Sequence, residues 1–384
     1  MEHRQATRGR VWGLLAGSGS WGVFWGGWAA LLPGIKDQVG VDASQLGLAL
    51  FAIPVGALPA MLGMGPVFDR YGRGAFGVTL VLFAAAVVSP GFTYGVIPLA
   101  VSLLLVGATS GAIEVGLNAA TAAVEAETGR RLFHQVHAVT PVAMIVAAPA
   151  VGLVRQFGAT PLPILAAIGV VVALTALPNL SGVPRGVTGG APVRAGGKVR
   201  FVFSWRIVVF GLAGAAVLFI ENAVEQWSAL LLVDELRASA FVASLGPAAY
   251  MAALALGRLL AQRYGAGLTP RTAVALAGVA GGLGVGLASI TGHPVVALAG
   301  FAVAGLGTAA ALPTLLATAG RLAAPQRRGA AVSTVTTVSY LGFLASPACV
   351  GAASGAVGLP YALGLVAGLG VLLAAGCVLL PARR

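Results

Sequence analysis

Residues 65–73 read GPVFDRYGR, and a partial copy, QRYG, returns at 262–265. Each copy lies between two long apolar stretches of the chain. Two further pairs of segments, WAALL with WSALL and PAVG with PACVG, recur at nearly the same separation of about two hundred residues. The three matches together predict that the chain consists of two halves built on one plan.

The composition predicts a helical integral membrane protein. Charged residues make up 9% of the chain and hydrophobic residues 58%, whereas a soluble domain carries about 25% charged residues. A membrane-spanning helix needs about 20 apolar residues. The apolar stretches are continuous, which excludes the alternating strands of an outer-membrane barrel. The predicted spans are 12–33, 44–63, 75–95, 97–121, 136–154, 160–180, 207–232, 240–261, 272–291, 295–318, 330–352 and 358–380.

The distribution of basic residues predicts the orientation of the chain. If the N-terminus lies in the cytoplasm, most of the 23 Lys and Arg residues fall in cytoplasmic segments, and only Lys36, Arg155 and Arg237 fall outside. This bias is the positive-inside rule, which places both termini in the cytoplasm and the chain in the cytoplasmic membrane. The net charge of +12 therefore indicates membrane lipid as a partner and is no sign of nucleic acid.

A basic segment divides the predicted halves. Residues 181–206 are rich in Gly, Pro and basic residues and contain no acid. Such a composition predicts a cytoplasmic linker between two six-helix bundles, 1–180 and 207–384. Two like bundles joined in this way are typical of transporters whose parallel repeats share an axis along the membrane normal.

The motif at 65–73, taken with the twelve spans and the repeat, resembles the signature loop of the major facilitator superfamily. The resemblance covers the whole chain and implies an all-α integral membrane fold with twelve transmembrane helices in two pseudo-symmetric six-helix bundles. It also implies that this loop is a cytoplasmic gate, in which Asp69 stabilises a helix N-terminus. A solvated loop is the alternative, and Gln262 replaces the acid in the second copy. The expected gate residues are Gly65, Asp69, Arg70, Gly72 and Arg73.

The fourth predicted span contains a carboxylate, Glu114. An ionised carboxylate at the bilayer centre costs about 2.5–3.5 kcal/mol, so such a residue marks a cavity or a proton path. Gly107, Gly111, Glu114 and Asn118 are spaced to share one helix face, which we expect to line the central cavity. The alternative is a protonated Glu114 that only donates a hydrogen bond between helices.

The segment from Glu114 to Asn118 also resembles the fourth helix of the fucose and glucose/galactose permeases. In that branch, the resemblance implies that the Glu takes up and releases the coupling proton. It implies that the Asn contacts the sugar.

The seventh predicted span contains two carboxylates, Glu221 and Glu225, one helical turn apart. Both cannot easily be ionised in a low dielectric, so we expect the pair to keep one proton and to titrate as a unit. Such a pair is suited to binding and releasing protons during transport. The alternative places Glu225 at the extracellular interface, where an acid costs little.

The same span resembles a Glu-Gly-x-x-x-Asp-Trp-Ser element of a bacterial, YbjJ-like branch of the superfamily. Here Asn222 stands at the Gly and Gln226 at the Asp, and Trp227 and Ser228 follow. These departures leave open whether substrate and coupling follow the sugar carriers.

An aromatic stripe runs along the first span, formed by Trp21, Phe24, Trp25 and Trp28. Sugar rings and planar or cationic ligands stack on such faces, while helix packing and a lipid-facing belt are the alternatives. The expected substrate-cavity residues are Trp21, Trp25, Asn118, Asn222 and Trp227.

Two basic side chains lie near the inner ends of spans. His137 opens the fifth span, where it either tunes a proton exit or makes an interfacial hydrogen bond. Arg258, in the eighth span, either pairs with an acid or snorkels to the surface.

The motifs that the chain lacks restrict its function. It contains no phosphate-binding Gly-x-x-x-x-Gly-Lys-Ser/Thr loop and no metal-ligand cluster, so we expect no cofactor, no metal and no ATP-driven pumping. The four His residues are too scattered for an enzyme, and a channel would need a continuous polar lining. We predict a monomeric secondary transporter that moves a small-molecule substrate together with protons by alternating access. Sugar-like symport fits the fourth span, and efflux of a drug or metabolite fits the apolar, aromatic cavity.

Overall fold

The structure, a computed structural model, describes residues 2–180, 204–324 and 327–380. Most of these residues are helical. Of the predicted linker, 181–206, residues 181–203 therefore lie outside the described residues. Thirteen α-helices occur within the described ranges, and a π-helical turn at Leu231–Glu235 extends the seventh. They are α1 Glu2–Val39, α2 Ala43–Leu50, α3 Ala52–Val88, α4 Val96–Thr128, α5 Phe133–Gln156, α6 Pro161–Leu180, α7 Trp205–Leu230, α8 Ala240–Tyr264, α9 Pro270–Ile290, α10 Pro294–Thr308, α11 Ala311–Leu322, α12 Arg328–Val357 and α13 Leu359–Gly376.

The helices confirm the predicted membrane protein. Eleven helical segments of the described chain are long and apolar enough to cross a membrane. The remaining predicted span, 12–33, lies inside the longer helix α1, where Gly, Ser and Trp residues make the sequence less apolar than elsewhere. The fold is therefore all-helical, with the number of spans that the composition predicts.

Two of the predicted spans, the second and the tenth, are not continuous helices. The second is divided between α2 and α3, and the tenth between α10 and α11. A proline inside a helix removes an N–H donor and crowds the carbonyl four residues earlier. Pro54 does this to Leu50, the last residue of α2, and Pro313 does it to Ala309, next to the end of α10. The two prolines therefore account for both breaks.

The junction between the second and third predicted spans lies within α3 at Gly72. Its backbone has φ +54° and ψ −137°, whereas the residues around it are helical. A side chain would be strained in this left-handed conformation, which glycine adopts readily. Gly72 therefore divides α3 into two membrane-spanning segments.

The helices group into two compact units. Unit 1 contains α1 and α3–α6, and unit 2 contains Asp42–Leu48 together with α7–α13. Within unit 2, a Cβ added at Gly47 would lie 2.5 Å from the carbonyl oxygen of Pro347 in α12. Most of α2 therefore packs with the helices of the second half of the chain.

The repeat seen in the sequence extends to the packing inside each unit. In unit 1, Gly107 of α4 approaches the carbonyl oxygen of Ile53 in α3, and in unit 2 Gly305 of α10 approaches that of Tyr250 in α8. Trp28 of α1 and Trp227 of α7 are both fully buried. Each unit thus places corresponding residues in corresponding contacts.

Candidate functional site

Unit 2 brings together the two carboxylates of the seventh span and an arginine. Glu221 and Glu225 lie one turn apart on α7, and both keep partial exposure. The Nη2 atom of Arg258 on α8 lies 3.7 Å from the Oε1 atom of Glu221, and the Arg258 side chain is 48% exposed. Glu225 lies close enough to both groups to interact with them electrostatically. Arg258 is therefore both ion-paired and accessible to a ligand.

A buried tyrosine completes this cluster. The Tyr250 hydroxyl on α8 lies 2.9 Å from Thr308 Oγ1 on α10, and Tyr250 is within electrostatic range of Glu221, Glu225 and Arg258. Because the Thr308 hydroxyl donates to the carbonyl of Ala304 at 3.0 Å, Tyr250 donates to Thr308. Tyr250 was not expected from the sequence, although it is a polar residue at the position that Ile53 occupies in the other half.

Several polar side chains of α7 are buried. Asn222, Trp227 and Ser228 are almost fully enclosed, and Gln226 is 7% exposed. Among the described residues, no hydrogen-bond partner reaches Asn222 Oδ1, Gln226 Oε1, Trp227 Nε1 or Ser228 Oγ. Asn222 and Trp227, both expected in the substrate cavity, thus lie enclosed in the helix packing and do not line an open surface.

Unit 1 assembles a second polar cluster around Glu114. Asn118, one turn after Glu114 on α4, places its Oδ1 atom 2.9 Å from Nε2 of His137 on α5. One turn before Glu114, Ser110 accepts a hydrogen bond of 2.8 Å from the indole nitrogen of Trp21 on α1. Glu114 therefore lies between two hydrogen-bonded contacts that join α4 to its neighbours.

The helix face expected around Glu114 is divided. A Cβ at Gly107 would lie 1.9 Å from the carbonyl oxygen of Ile53, and one at Gly111 would lie 2.5 Å from that of Ala57. Gly107 and Gly111 are therefore buried against α3, and the expectation that they line a cavity is wrong. Their lack of a side chain permits close helix packing, whereas Glu114 keeps partial exposure.

The aromatic stripe of α1 is also divided. Phe24 is fully buried and meets Phe83 edge-to-face with ring centroids 5.1 Å apart, and Trp28 stacks on Phe24 at 6.0 Å. Trp21 and Trp25 keep partial exposure. Helix packing thus accounts for half of the stripe, and the other half remains accessible.

The expected gate residues lie at the Gly72 junction of α3. Asp69 and Arg70 are exposed, and the guanidinium carbon of Arg70 lies 5.4 Å from the ring centre of Tyr71. Cβ atoms added at Gly65 or Gly72 would meet no atom within 4 Å. The backbone of position 73 is helical. The gate role of Gly65, Asp69, Arg70, Gly72 and Arg73 stays a prediction.

A cavity of 680 Å³ opens in unit 2 between α8, α11 and the break that separates α10 from α11. Arg258 and Gln262 of α8 and Thr314 and Arg321 of α11 supply polar groups to its wall. Arg258 thus belongs both to this cavity and to the ion pair with Glu221. Arg321 does not stand out in the sequence, because a basic residue at the end of a span is explained by orientation alone.

In the part of the chain that the structure describes, no three or more His, Cys, Asp and Glu side chains are grouped to hold a metal ion. Each cluster contains a carboxylate, joined by an arginine and a tyrosine in unit 2 and by a histidine in unit 1.

Comparison with known proteins places the chain among transporters. No protein-family model matches it. An uncharacterized MFS-type transporter of Yersinia pestis is 30% identical over 346 residues, which cover 88% of this chain and 88% of that protein. Membrane protein MosC of Rhizobium meliloti is 25% identical over 366 residues, which cover 94% and 88% respectively.

Solved structures share the fold across nearly the whole chain. A mutant of the nucleoside transporter NupG matches with a TM-score of 0.79 at 14% identity, covering 96% of this chain and 99% of that one. A bacterial homologue of the human lysosomal transporter Spinster, inward-facing and occupied, matches with a TM-score of 0.75 at 14% identity, covering 96% and 95%. At these identities the likeness concerns the fold alone.

Proposed function

Because the chain belongs to the major facilitator superfamily of membrane transporters, we propose that it moves a small solute across the cytoplasmic membrane by alternating access, coupled to protons. In this proposal it works as a monomer. Both termini lie in the cytoplasm, an orientation that the positive-inside bias favours. The observation that carries the proton coupling is the Glu221–Arg258 ion pair beside Glu225.

The proposed proton step takes place at this carboxylate pair. A proton that binds Glu221 neutralises the carboxylate and removes the attraction that holds Arg258. Loss of the proton restores the ion pair. Because a charge inside a membrane is costly, the neutral and ionised forms of the pair favour different conformations of the transporter. A proton driven by the membrane potential supplies about 2.3 kcal/mol per 100 mV.

Glu114 is the second proposed proton site. It lies between the Trp21–Ser110 and Asn118–His137 hydrogen bonds. A proton on Glu114 is therefore close to polar side chains that donate and accept hydrogen bonds. His137 is exposed, and its imidazole nitrogens can donate and accept hydrogen bonds. This arrangement supports a route by which Glu114 exchanges protons with water.

The proposed solute contacts combine accessible aromatic rings with buried polar atoms. Trp21 and Trp25 keep partial exposure, and rings of this kind bind planar solutes by stacking. Buried polar atoms without a protein partner, such as Asn222 Oδ1, are costly unless water or a ligand binds them. These atoms become solute contacts when the helices around α7 separate.

The direction of transport has two candidates. Symport with protons fits the resemblance of the Glu114–Asn118 segment to the sugar permeases. Efflux in exchange for protons fits the accessible tryptophans of α1. The two differ in the sign of the pH gradient that drives accumulation of the solute.

The test first identifies the solute and then measures whether its transport is coupled to protons. A thermal-shift screen of the purified full chain covers sugars, nucleosides and antibiotics, and includes nucleosides because NupG shares the fold. Counterflow of the labelled hit in proteoliposomes then separates a carrier from a channel, since only a carrier shows trans-stimulation.

The coupling is measured as accumulation of the hit under an imposed pH gradient. We expect Glu221→Gln and Glu114→Gln to abolish pH-driven accumulation and to retain counterflow, because neutral side chains mimic the protonated state. Glu235→Gln, which changes an exposed acid at the end of the π-helical turn, is the matched control. Full pH-driven accumulation in both variants would disprove the coupling.

A further inference from the structure

The cavity of unit 2 has a basic edge that the proposed proton cycle does not explain. Arg258, Gln262, Thr314 and Arg321 form its polar part, and its lining among the described residues contains no carboxylate. Its volume of 680 Å³ lies in the range of sites that hold small molecules, about 300–1,000 Å³. The cavity therefore has the size and the charge to hold a small anion.

Arg321 is free to bind such an anion. Its Nη2 atom donates a hydrogen bond of 2.8 Å to Thr318 on the previous turn of α11. Among the ion pairs between described residues, none involves Arg321. An arginine has five N–H donors in a planar fork that matches a carboxylate or a phosphate. The bond to Thr318 uses one of them and orients the group.

The break between α10 and α11 forms part of the same wall. Ala309 and Ala310 line the cavity, and no side chain caps α11 at Ala310. In transporters, interrupted helices line solute sites, and the positive N-terminal end of the second half points at anionic groups. The break thus places the N-terminal end of α11 in the cavity wall, beside the two arginines.

We infer that the cavity formed by Arg258, Gln262, Thr314 and Arg321 binds the carboxylate or phosphate group of a small organic anion, which is the solute that the chain moves. The identity of this anion as the transported solute rests on the proposed function. The remaining lining includes Ala261, Leu268 and Pro313, so apolar walls surround the body of the anion.

Arg258 links the anion to the proton. It lies 3.7 Å from Glu221 and lines the cavity, so the carboxylate and the anion compete for one guanidinium group. The charged or titratable groups near Glu221 are Glu225 on α7 and Arg258 and Tyr250 on α8. When Glu221 takes up a proton, its hold on Arg258 ends and the anion gains this partner. Proton and anion therefore bind together.

The test measures ligand binding to the purified full chain in phosphatidylcholine nanodiscs, as a shift of its unfolding temperature. The probes are benzoate and phenyl phosphate, and the uncharged controls are benzamide and benzyl alcohol, each added at about 10 mM in a thermal-unfolding assay. We expect at least one anion, and neither uncharged control, to raise the unfolding temperature. Failure of both anions to do so overturns the inference.

Variants assign the binding to the cavity. We expect Arg321→Gln to weaken anion binding about tenfold or more, as the loss of hydrogen bonds to a charged group does. Arg263→Gln is the matched control, because Arg263 is an exposed arginine of α8 outside the described cavity lining. Glu221→Gln is expected to tighten binding, since it frees Arg258. Undiminished binding in Arg321→Gln overturns the inference.

A lipid headgroup has the same chemistry as the proposed solute, so the lipid is varied. Replacing phosphatidylcholine with phosphatidylglycerol leaves anion binding intact if the ligand is a soluble anion. If phosphatidylglycerol itself stabilises the chain through Arg321 and excludes both probes, the site binds lipid and the solute assignment is wrong.

The anion site and the proposed function can be disproved separately. Arg321-dependent anion binding without proton-coupled transport keeps the anion site and removes the proposed function. Proton-coupled transport of an uncharged solute, with no effect of Arg321→Gln, keeps the proposed function and removes the anion site.

Discussion

The carboxylate of Glu125, near the end of α4, accepts a hydrogen bond of 3.0 Å from the backbone N–H of Phe133, the first residue of α5. It also accepts one from the N–H of Leu132. The first N–H groups of a helix have no partner inside the helix, so Glu125 caps α5 from the preceding helix. This contact fixes the short connection between α4 and α5, the two helices that hold Glu114 and His137.

The first prediction concerns this cap. Glu125→Ala should lower the unfolding temperature, because two N–H groups at the start of α5 lose their acceptor. Glu125→Gln keeps an acceptor oxygen and should retain most of the stability. Thermal unfolding of the purified protein measures both, and equal losses in the two variants would contradict the assigned cap.

The second prediction concerns the close contact of α3 and α4. Gly107→Ala places a Cβ 1.9 Å from the carbonyl oxygen of Ile53, so the helices must move apart, at a cost of about 1–3 kcal/mol. Gly63→Ala in α3 is the matched control, because a Cβ there meets no atom within 4 Å. We expect unfolding at lower temperature for Gly107→Ala alone, and equal unfolding temperatures would exclude the contact.

The third prediction concerns the ion pair of unit 2. Arg258→Gln leaves Glu221 without its basic partner, so we expect transport to fall about tenfold or more. The double variant with Glu221→Gln removes both charges and should unfold at a higher temperature than Arg258→Gln alone. A double-mutant cycle with no interaction energy would show that the two groups act separately.

The fourth prediction concerns the gate. Asp69→Asn removes the charge that we expect to latch a helix terminus, and should slow turnover about tenfold, the effect of losing one hydrogen bond to a charged group. Thermal stability should not change, since Asp69 is exposed. Unaltered counterflow rates in Asp69→Asn would support the alternative of a solvated loop.

The fifth prediction concerns Gln262, which stands where the first copy of the motif has Asp69. Gln262→Glu adds a carboxylate to the wall that holds Arg258 and Arg321, so it should neutralise the basic edge and weaken anion binding about tenfold. Gln262→Asn keeps the amide and should bind the probes nearly as well as the unaltered chain. Equal binding of the Glu and Asn variants would argue against an anion at this wall.

The membrane fold was predictable because composition controls it. Continuous apolar stretches of about 20 residues have few alternatives in a bilayer, and the helices occur where those stretches predict them. The helix breaks after Leu50 and Thr308 were missed, although Pro54 and Pro313 mark both. Proline alone is a weak signal here, since α5 continues past Pro141 and other helices past their own prolines.

The carboxylates of the candidate site could be predicted from the sequence, whereas the residues that contact them were harder to predict. A carboxylate inside an apolar span stands out, whatever it contacts. The pairing of Glu221 with Arg258 and the position of Tyr250 depend on how α7, α8 and α10 pack, which helical spacing alone does not specify. For the same reason, the face shared by Gly107 and Glu114 could not reveal that α3 covers its glycines.

Gln262 has a further consequence. A duplicated chain has two copies of each position, and a change that harms one role is tolerated where the other copy still performs it. The first copy of the motif has Asp69 and the second has Gln262, so the two copies differ in charge at this position. Without that charge, the arginines of the neighbouring wall have no built-in competitor at position 262. A repeated chain can thus carry different charges at matching positions, here a carboxylate in one half and, in the other, an amide in a wall with two arginines.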